Sequence, residues 1–220
     1  MALTHDQARA FYDRFGRKQD AQGFYEDAAL DALLDTAAFA HADSVFEFGC
    51  GTGRFAARLL RDALPTSAHY VGCDSSLVMV ALARERLAGF GARAVVHESS
   101  GAIRFPLEDA AVDRVVSTYV LDLLGEADIE RFMGEAHRVL RPGGLLCLVG
   151  LTKGEGAVAR VVSRAWQGLY RLSAAAVGGC RPLEVVRFLD RSLWHDIERK
   201  TVAPWGISSE VVVARAATSP

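Results

Sequence analysis

Three glycines at alternate positions, Gly49, Gly51 and Gly53, close the segment Val45-Phe-Glu-Phe-Gly-Cys-Gly-Thr-Gly, in which an apolar run carries a single acid, Glu47. Glycine lets a turn take positive φ and lets a ligand lie against bare backbone, where the start of the next helix offers unpaired N–H groups. Glu47 adds an anionic partner, which suits a nucleotide-like ligand bearing an ammonium group and repels a pyrophosphate. The overlapping Gly51-Thr-Gly-Arg-Phe-Ala also fits the G-x-G-x-x-A form of the dinucleotide fingerprint, with Asp74 at about the usual 20-residue distance. Asp74 ends a second apolar run, Tyr70-Val-Gly-Cys-Asp, where a carboxylate can accept both hydroxyls of a ribose. Ser75 and Ser76 follow it and can cap the next helix, and Met79 lies where it could pack on an adenine face or fill the core. The turn alone therefore leaves two ligands open, a dinucleotide and a nucleotide-like molecule bearing an ammonium group.

Elements that could hold these residues alternate along the chain. Apolar strand-like runs at Ser44–Phe48, His69–Cys73, Ala94–His97, Asp113–Val120 and Leu145–Leu151 alternate with helical patterns at Glu26–Leu34, Arg54–Ala63, Leu77–Ala88 and Glu126–Leu140. Such alternation predicts parallel strands joined by crossover helices. Arg141-Pro-Gly-Gly stops the last of these helices and turns the chain. Beyond residue 151 the pattern predicts two helices, Gly156–Leu172 and Pro182 to about Leu193, and then a hairpin of Ile197–Val202 with Glu210–Ala214. No linker interrupts the chain, so 1–220 reads as one domain with 1–27 as amino-terminal lid helices and 152–195 as a helical substrate cap.

The composition narrows the partners. A formal net charge of -2 over 220 residues gives no basic field of the kind that nucleic-acid backbones require. Cys50, Cys73, Cys147 and Cys180 are far apart, with no zinc or redox spacing, which predicts no metal and suits a reducing compartment. No apolar run approaches a membrane span and the sequence opens without a signal-like stretch, so the expected location is cytoplasmic.

Taken together, Glu47-x-Gly-x-Gly-x-Gly, Asp74-x-Ser-x-x-Met79, the strand Val112-Asp-Arg-Val-Val and His137-Arg-Val-Leu-Arg-Pro-Gly-Gly144 resemble the class I S-adenosylmethionine-dependent methyltransferases. The branch they are most similar to includes the ubiquinone and menaquinone C-methyltransferases, and the resemblance covers roughly residues 10 to 151. It implies a Rossmann-like α/β fold: a seven-stranded, mostly parallel sheet with an antiparallel last strand and helices on both faces. It also implies S-adenosyl-L-methionine as cofactor, with Gly49, Gly51 and Gly53 along the methionine part, Glu47 near its ammonium group, Asp74 at the ribose and Ser75 among the cofactor-binding residues. At the adenine position relatives often carry an Asp-Ala pair; this chain has Gly101-Ala102, with Glu98, Ser99 and Ser100 as substitutes. The frequent His after the fourth strand is here Asp122.

Methyl transfer from a sulfonium mostly requires alignment; a phenol, enol or amine acceptor adds the need for a base. Tyr119 and Asp122, at the carboxyl edge of the fourth strand, and His195, beside Trp194, are the candidates for the acceptor side. His137, near a helix end, reads as structural. Tyr12, Phe15 and Tyr25 resemble an aromatic lid over the cofactor, where ring faces steady a sulfonium. Trp166, Tyr170, Cys180 and Arg181 would belong to the cap over a small, partly hydrophobic acceptor. The expected protein is a small-molecule methyltransferase acting as a monomer or homodimer. An NAD-dependent oxidoreductase and a non-catalytic methyltransferase-like binding protein are the alternatives.

Overall fold

The computed structural model of the chain describes residues 4–154, 168 and 180–217. Twelve elements set the frame: α1 (His5–Phe15), α2 (Gly23–Thr36), β1 (Ser44–Phe48), α3 (Arg54–Arg58), β2 (His69–Asp74), α4 (Leu77–Leu87), β3 (Ala94–Glu98), β4 (Val112–Thr118), α5 (Glu126–Val139), β5 (Leu140–Leu151), β6 (Trp194–Val202) and β7 (Ser209–Ala216). The seven strands form one sheet in the order β3-β2-β1-β4-β5-β7-β6. β1 to β5 are parallel, and β7 runs antiparallel to both β5 and β6. The sheet is the mostly parallel one that the resemblance implied, with the last strand reversed.

Alternation along the strands explains why both faces are covered. Val45, Tyr70, Val116, Cys147, Val211 and Val213 face one side, where α2, α3 and α4 bury Leu30, Leu33, Phe55, Leu59 and Val80. Their neighbours Phe46, Val115, Leu146, Leu148, Val212 and Ala214 face the other, against Ile129, Phe132, Met133 and Ala136 of α5. Burial on both faces is what makes these runs continuously apolar. By contrast β6, at the edge, carries His195, Asp196, Glu198, Arg199 and Lys200, and charge on an edge strand discourages pairing with other chains.

The chain departs from the sequence expectations in several places, one being that β5 begins at Leu140, so that Arg141-Pro-Gly-Gly forms its irregular start. Helix α3 covers only the first half of the expected run, and Leu59–Ala63 forms a single wider π turn. β4 stops at Thr118, because Tyr119 takes φ +57, and with it the chain swings out of the sheet at its carboxyl edge. The expected helix from Pro182 to Leu193 is instead irregular, with a short helical turn at Val185–Phe188 and a second turn at 191–193. Its N–H groups are taken by other partners: Leu183 donates to the Leu151 carbonyl at 2.8 Å and Val185 to the buried Glu210 carboxylate at 2.8 Å. The expected helix at 156–172, and with it Trp166 and Tyr170, lies outside the described residues.

Candidate functional site

The order of the sheet reverses at β1, which lies between β2 on one side and β4 on the other, and a crevice opens past the carboxyl ends of the strands at such a point. The glycine turn lies there. Gly49, Gly51 and Gly53 all have positive φ, at +78, +52 and +73. A Cβ on Gly49 would come within 2.3 Å of Val120, so the turn can pass under the β4 edge only without a side chain. Gly49 and Cys50 donate their N–H groups to the Cys73 carbonyl at 2.8 and 3.0 Å, tying the turn to β2.

Asp74 stands opposite the turn. Its Oδ2 accepts the Gly51 N–H and its Oδ1 the Ser76 N–H, each at 2.9 Å. Burial pushes this carboxyl up, and the N–H groups of Ser76, Gly51 and Ser75 pull it back. A cavity lies against it, lined by Ala8, Tyr12, Gln19, Phe48, Gly49, Gly51, Cys73, Asp74, Ser75, Ser99, Gly101, Thr118, Tyr119, Val120, Leu123 and Leu124. Tyr12, Gly49, Gly51, Asp74, Ser75, Gly101 and Tyr119 are thus brought together, and Ser99 holds the Gly101 N–H at 3.2 Å.

A second, smaller cavity lies past the same wall and is lined by Asp20, Glu26, Glu47, Thr52 and Arg54 among others. Gln19, Gly49, Gly51, Thr118 and Tyr119 line both. Glu47 accepts from the Tyr70 hydroxyl at 2.6 Å; burial pushes its carboxyl up to about 7, against the pull of that hydroxyl.

Other expected residues are not brought to the first cavity. Gly53 is absent from its wall: a Cβ there would meet Ala83 Cα at 3.0 Å, so this glycine lets α3 pack on α4. Met79 is 1% exposed in the core, and Ala102, unlike its neighbour Gly101, does not line the cavity. His195 is exposed on β6 opposite Arg215, which pairs in turn with Leu145 at the start of the parallel run of β5. That is the amino edge of the sheet, away from the site, and the expected acceptor-side role of His195 is corrected accordingly. His137 packs edge-on against Trp194, with ring centres 5.5 Å apart.

Asp122 lies in the turn Leu121–Leu123 and is 1% exposed, behind the cavity wall rather than on it. Burial pushes its carboxyl up to about 7, while the Leu151 N–H at 3.3 Å and nearby Arg181 pull it down. The buried Cys180 lies beside both Tyr12 and Asp122, and burial together with the Asp122 carboxylate pushes its thiol up. Tyr119 bonds Ser209 through its hydroxyl at 2.9 Å and meets the Tyr25 ring edge-on at 5.8 Å. Phe15 stacks on Phe11, so Tyr12 is the one of the three expected lid aromatics that lines the cavity.

The amino-terminal segment is fastened over the turn by residues that carry no motif. Ser76 Oγ donates to Asp13 at 2.6 Å; Asp20 accepts from Thr52 Oγ1 at 2.6 Å and from Arg86 at 2.5 Å; Arg54 bonds Glu26 at 2.8 Å. Sequence reasoning missed Gln19, Asp20 and Arg86. Gln19 and Asp20 lie in the amino-terminal stretch that reads as a lid, and Arg86 inside the helical pattern Leu77–Ala88, with nothing to single them out.

Residues 45–144 match the family model described as a methyltransferase domain. The chain is 32% identical over 164 residues to a demethylmenaquinone methyltransferase of Parafrankia sp. (strain EAN1pec), covering 65% of this chain and 62% of that protein. It is also 32% identical over 171 residues to a malonyl-[acyl-carrier protein] O-methyltransferase of Pectobacterium atrosepticum, covering 77% of this chain and 58% of the relative. It thus spans less than two thirds of the length of either. Among solved structures, the [4+2]-cyclase SpnF is similar in fold, with a TM-score of 0.74 at 18% identity over 99% of this chain and 98% of that one.

Proposed function

We propose, from the premise that this chain carries a class I S-adenosylmethionine-dependent methyltransferase domain, that it transfers a methyl group from S-adenosyl-L-methionine to a small, partly hydrophobic organic acceptor. The observation that carries this reading is the Asp74 carboxylate, held on the cavity wall by the Gly51 N–H and facing a glycine turn that has no room for a Cβ at Gly49.

The residues present fit the cofactor. S-Adenosylmethionine supplies an electrophilic methyl group on a positively charged sulfur. Asp74, with Ser75, would take the ribose hydroxyls, and Ser99 and Gly101 would border the base. The turn Gly49–Gly51 would lie along the methionine part, with Glu47 behind it. Tyr12 and Tyr119 put aromatic surface on the cavity wall, which favours a sulfonium. Val120, Leu123 and Leu124 supply its apolar part, which supports a partly hydrophobic acceptor. The acceptor in the name of the Parafrankia relative, demethylmenaquinone, is an organic molecule as well. Where the acceptor must lose a proton, Asp122, buried beside Cys180 and Tyr12 with its carboxyl pushed up to about 7, is the proposed base. In this reading residues 1–27 form the lid and 152–195 the cap, the acceptor is not a nucleic acid, and the protein works in the cytoplasm as a monomer or homodimer. Among the described residues no helix is long and apolar enough to cross a membrane.

The test is ligand-linked stability. A ligand that binds only the folded state at 100 times its Kd stabilises it by about 2.7 kcal/mol. S-Adenosylhomocysteine is expected to raise the melting temperature accordingly while NAD and NADP leave it unchanged. A rise with NAD alone would overturn the proposal. Formation of S-adenosylhomocysteine across a panel of small acceptors then identifies the acceptor.

A further inference from the structure

We infer that Gln19 binds the amino-acid end of the cofactor, its side-chain oxygen accepting a hydrogen bond from the α-ammonium group. The inference rests on the methyltransferase reading above and deepens it.

Gln19 lies in the short segment Gly16–Gln22 that joins α1 to α2. Its side chain lines both cavities, at the wall where they meet. The amide lies over the bare backbone of the glycine turn: a Cβ on Gly51 would come 2.9 Å from Gln19 Oε1 and 3.1 Å from Nε2. The missing side chain of Gly51 therefore makes room for this amide. Gln19 Oε1 is buried and has no hydrogen-bond partner among the described residues. A buried acceptor left without a donor is costly, so such an oxygen marks a place where a donor arrives with a ligand.

Its surroundings specify what kind of donor. Asp20 is occupied by Thr52 and Arg86, Glu26 by Arg54 and Glu47 by the Tyr70 hydroxyl. The acid residues Asp20, Glu26 and Glu47 outnumber Arg54 on the wall of the second cavity, which favours a cationic donor, and Gln19 Oε1 is a buried acceptor at this wall without a partner among the described residues. The neighbouring Asp20 bonds fix the backbone of the segment to Thr52 and α4, which places the amide before a ligand binds. A nucleoside in the first cavity with its amino-acid end directed to the junction would bring an ammonium group to this oxygen.

The experiment compares two ligands that differ in that end. S-Adenosylhomocysteine carries the amino-acid group; 5′-methylthioadenosine lacks it. Calorimetric titration of both into the full chain and into Gln19→Ala is expected to show S-adenosylhomocysteine weakened about 10- to 100-fold, the range of a hydrogen bond to a charged group. Methylthioadenosine affinity and the ligand-free melting temperature stay unchanged. Gln19→Glu, which keeps an acceptor oxygen in place, retains S-adenosylhomocysteine binding. Equal losses for both ligands would reduce Gln19 to a lid contact and overturn the inference, as would unaltered affinity for both. Wild-type protein that binds neither ligand would overturn the methyltransferase reading itself, so the two failures are distinguishable.

Discussion

Asp74 does two jobs with one carboxylate: it closes the glycine turn through the Gly51 N–H and presents its remaining lone pairs to the cavity. Asp74→Ala is therefore expected to weaken S-adenosylhomocysteine by about tenfold or more, the cost of losing hydrogen bonds to a charged group. Tyr119→Phe, which removes only the bond to Ser209, should weaken it far less. Calorimetric titration compares the two, and an Asp74→Ala affinity equal to wild type would refute the ribose assignment. Glu47 makes a prediction about pH. Burial raises its carboxyl from 4.5 to about 7, so between these values the folded chain holds a proton that the unfolded chain has released. Its contribution to stability is complete below 4.5 and declines as pH rises to about 7, with a slope of at most about 1.4 kcal/mol per pH unit. Asp122, pushed up to about 7 as well, acts in the same direction. Urea midpoints measured at several pH values across this window should fall more steeply in wild type than in Glu47→Gln; parallel curves would show that Glu47 does not titrate there.

At the scale of elements, the glycine motif divides between two tasks. Gly49 and Gly51 open the turn, whereas Gly53 brings α3 against α4. Gly53→Val is expected to lower stability by about 1–3 kcal/mol, since it adds a branched side chain at φ +73 where Ala83 Cα already lies at contact distance. Denaturant unfolding measures this, and a loss below about 0.5 kcal/mol, the range of indifferent surface changes, would refute the packing role. Local pattern made Ser44–Phe48 and Leu77–Leu87 legible: the first is a short, mostly apolar run ended by the glycine turn, and the second buries Met79, Val80, Ala83 and Leu87 at helical spacing. The stretch after Pro182 was misread as helix for the opposite reason. Its apolar residues satisfy a helical pattern, but the Leu151 carbonyl and Glu210, distant in sequence, take its N–H groups.

Over the whole molecule, the site exists because β1 lies at the point where the sheet order reverses, and the amino-terminal helices close over the crevice that results. Local chemistry in the sequence determined the turn, the acid at the end of β2, the alternation of strand and helix and the family they resemble, since each depends on residues close together in the chain. It also marked the stretch around Gln19 as a lid without singling out the residue. Only the tertiary structure decided which candidates meet. It carried Tyr12 and Gln19 to a turn more than 25 residues away, put Met79 in the core and left His195 at the far edge of the sheet. It also buried Asp122 beside Cys180 and Tyr12. These placements depend on contacts between distant segments, and the physical reason they escape the sequence is that a side chain's partners across the fold leave no spacing of their own along the chain.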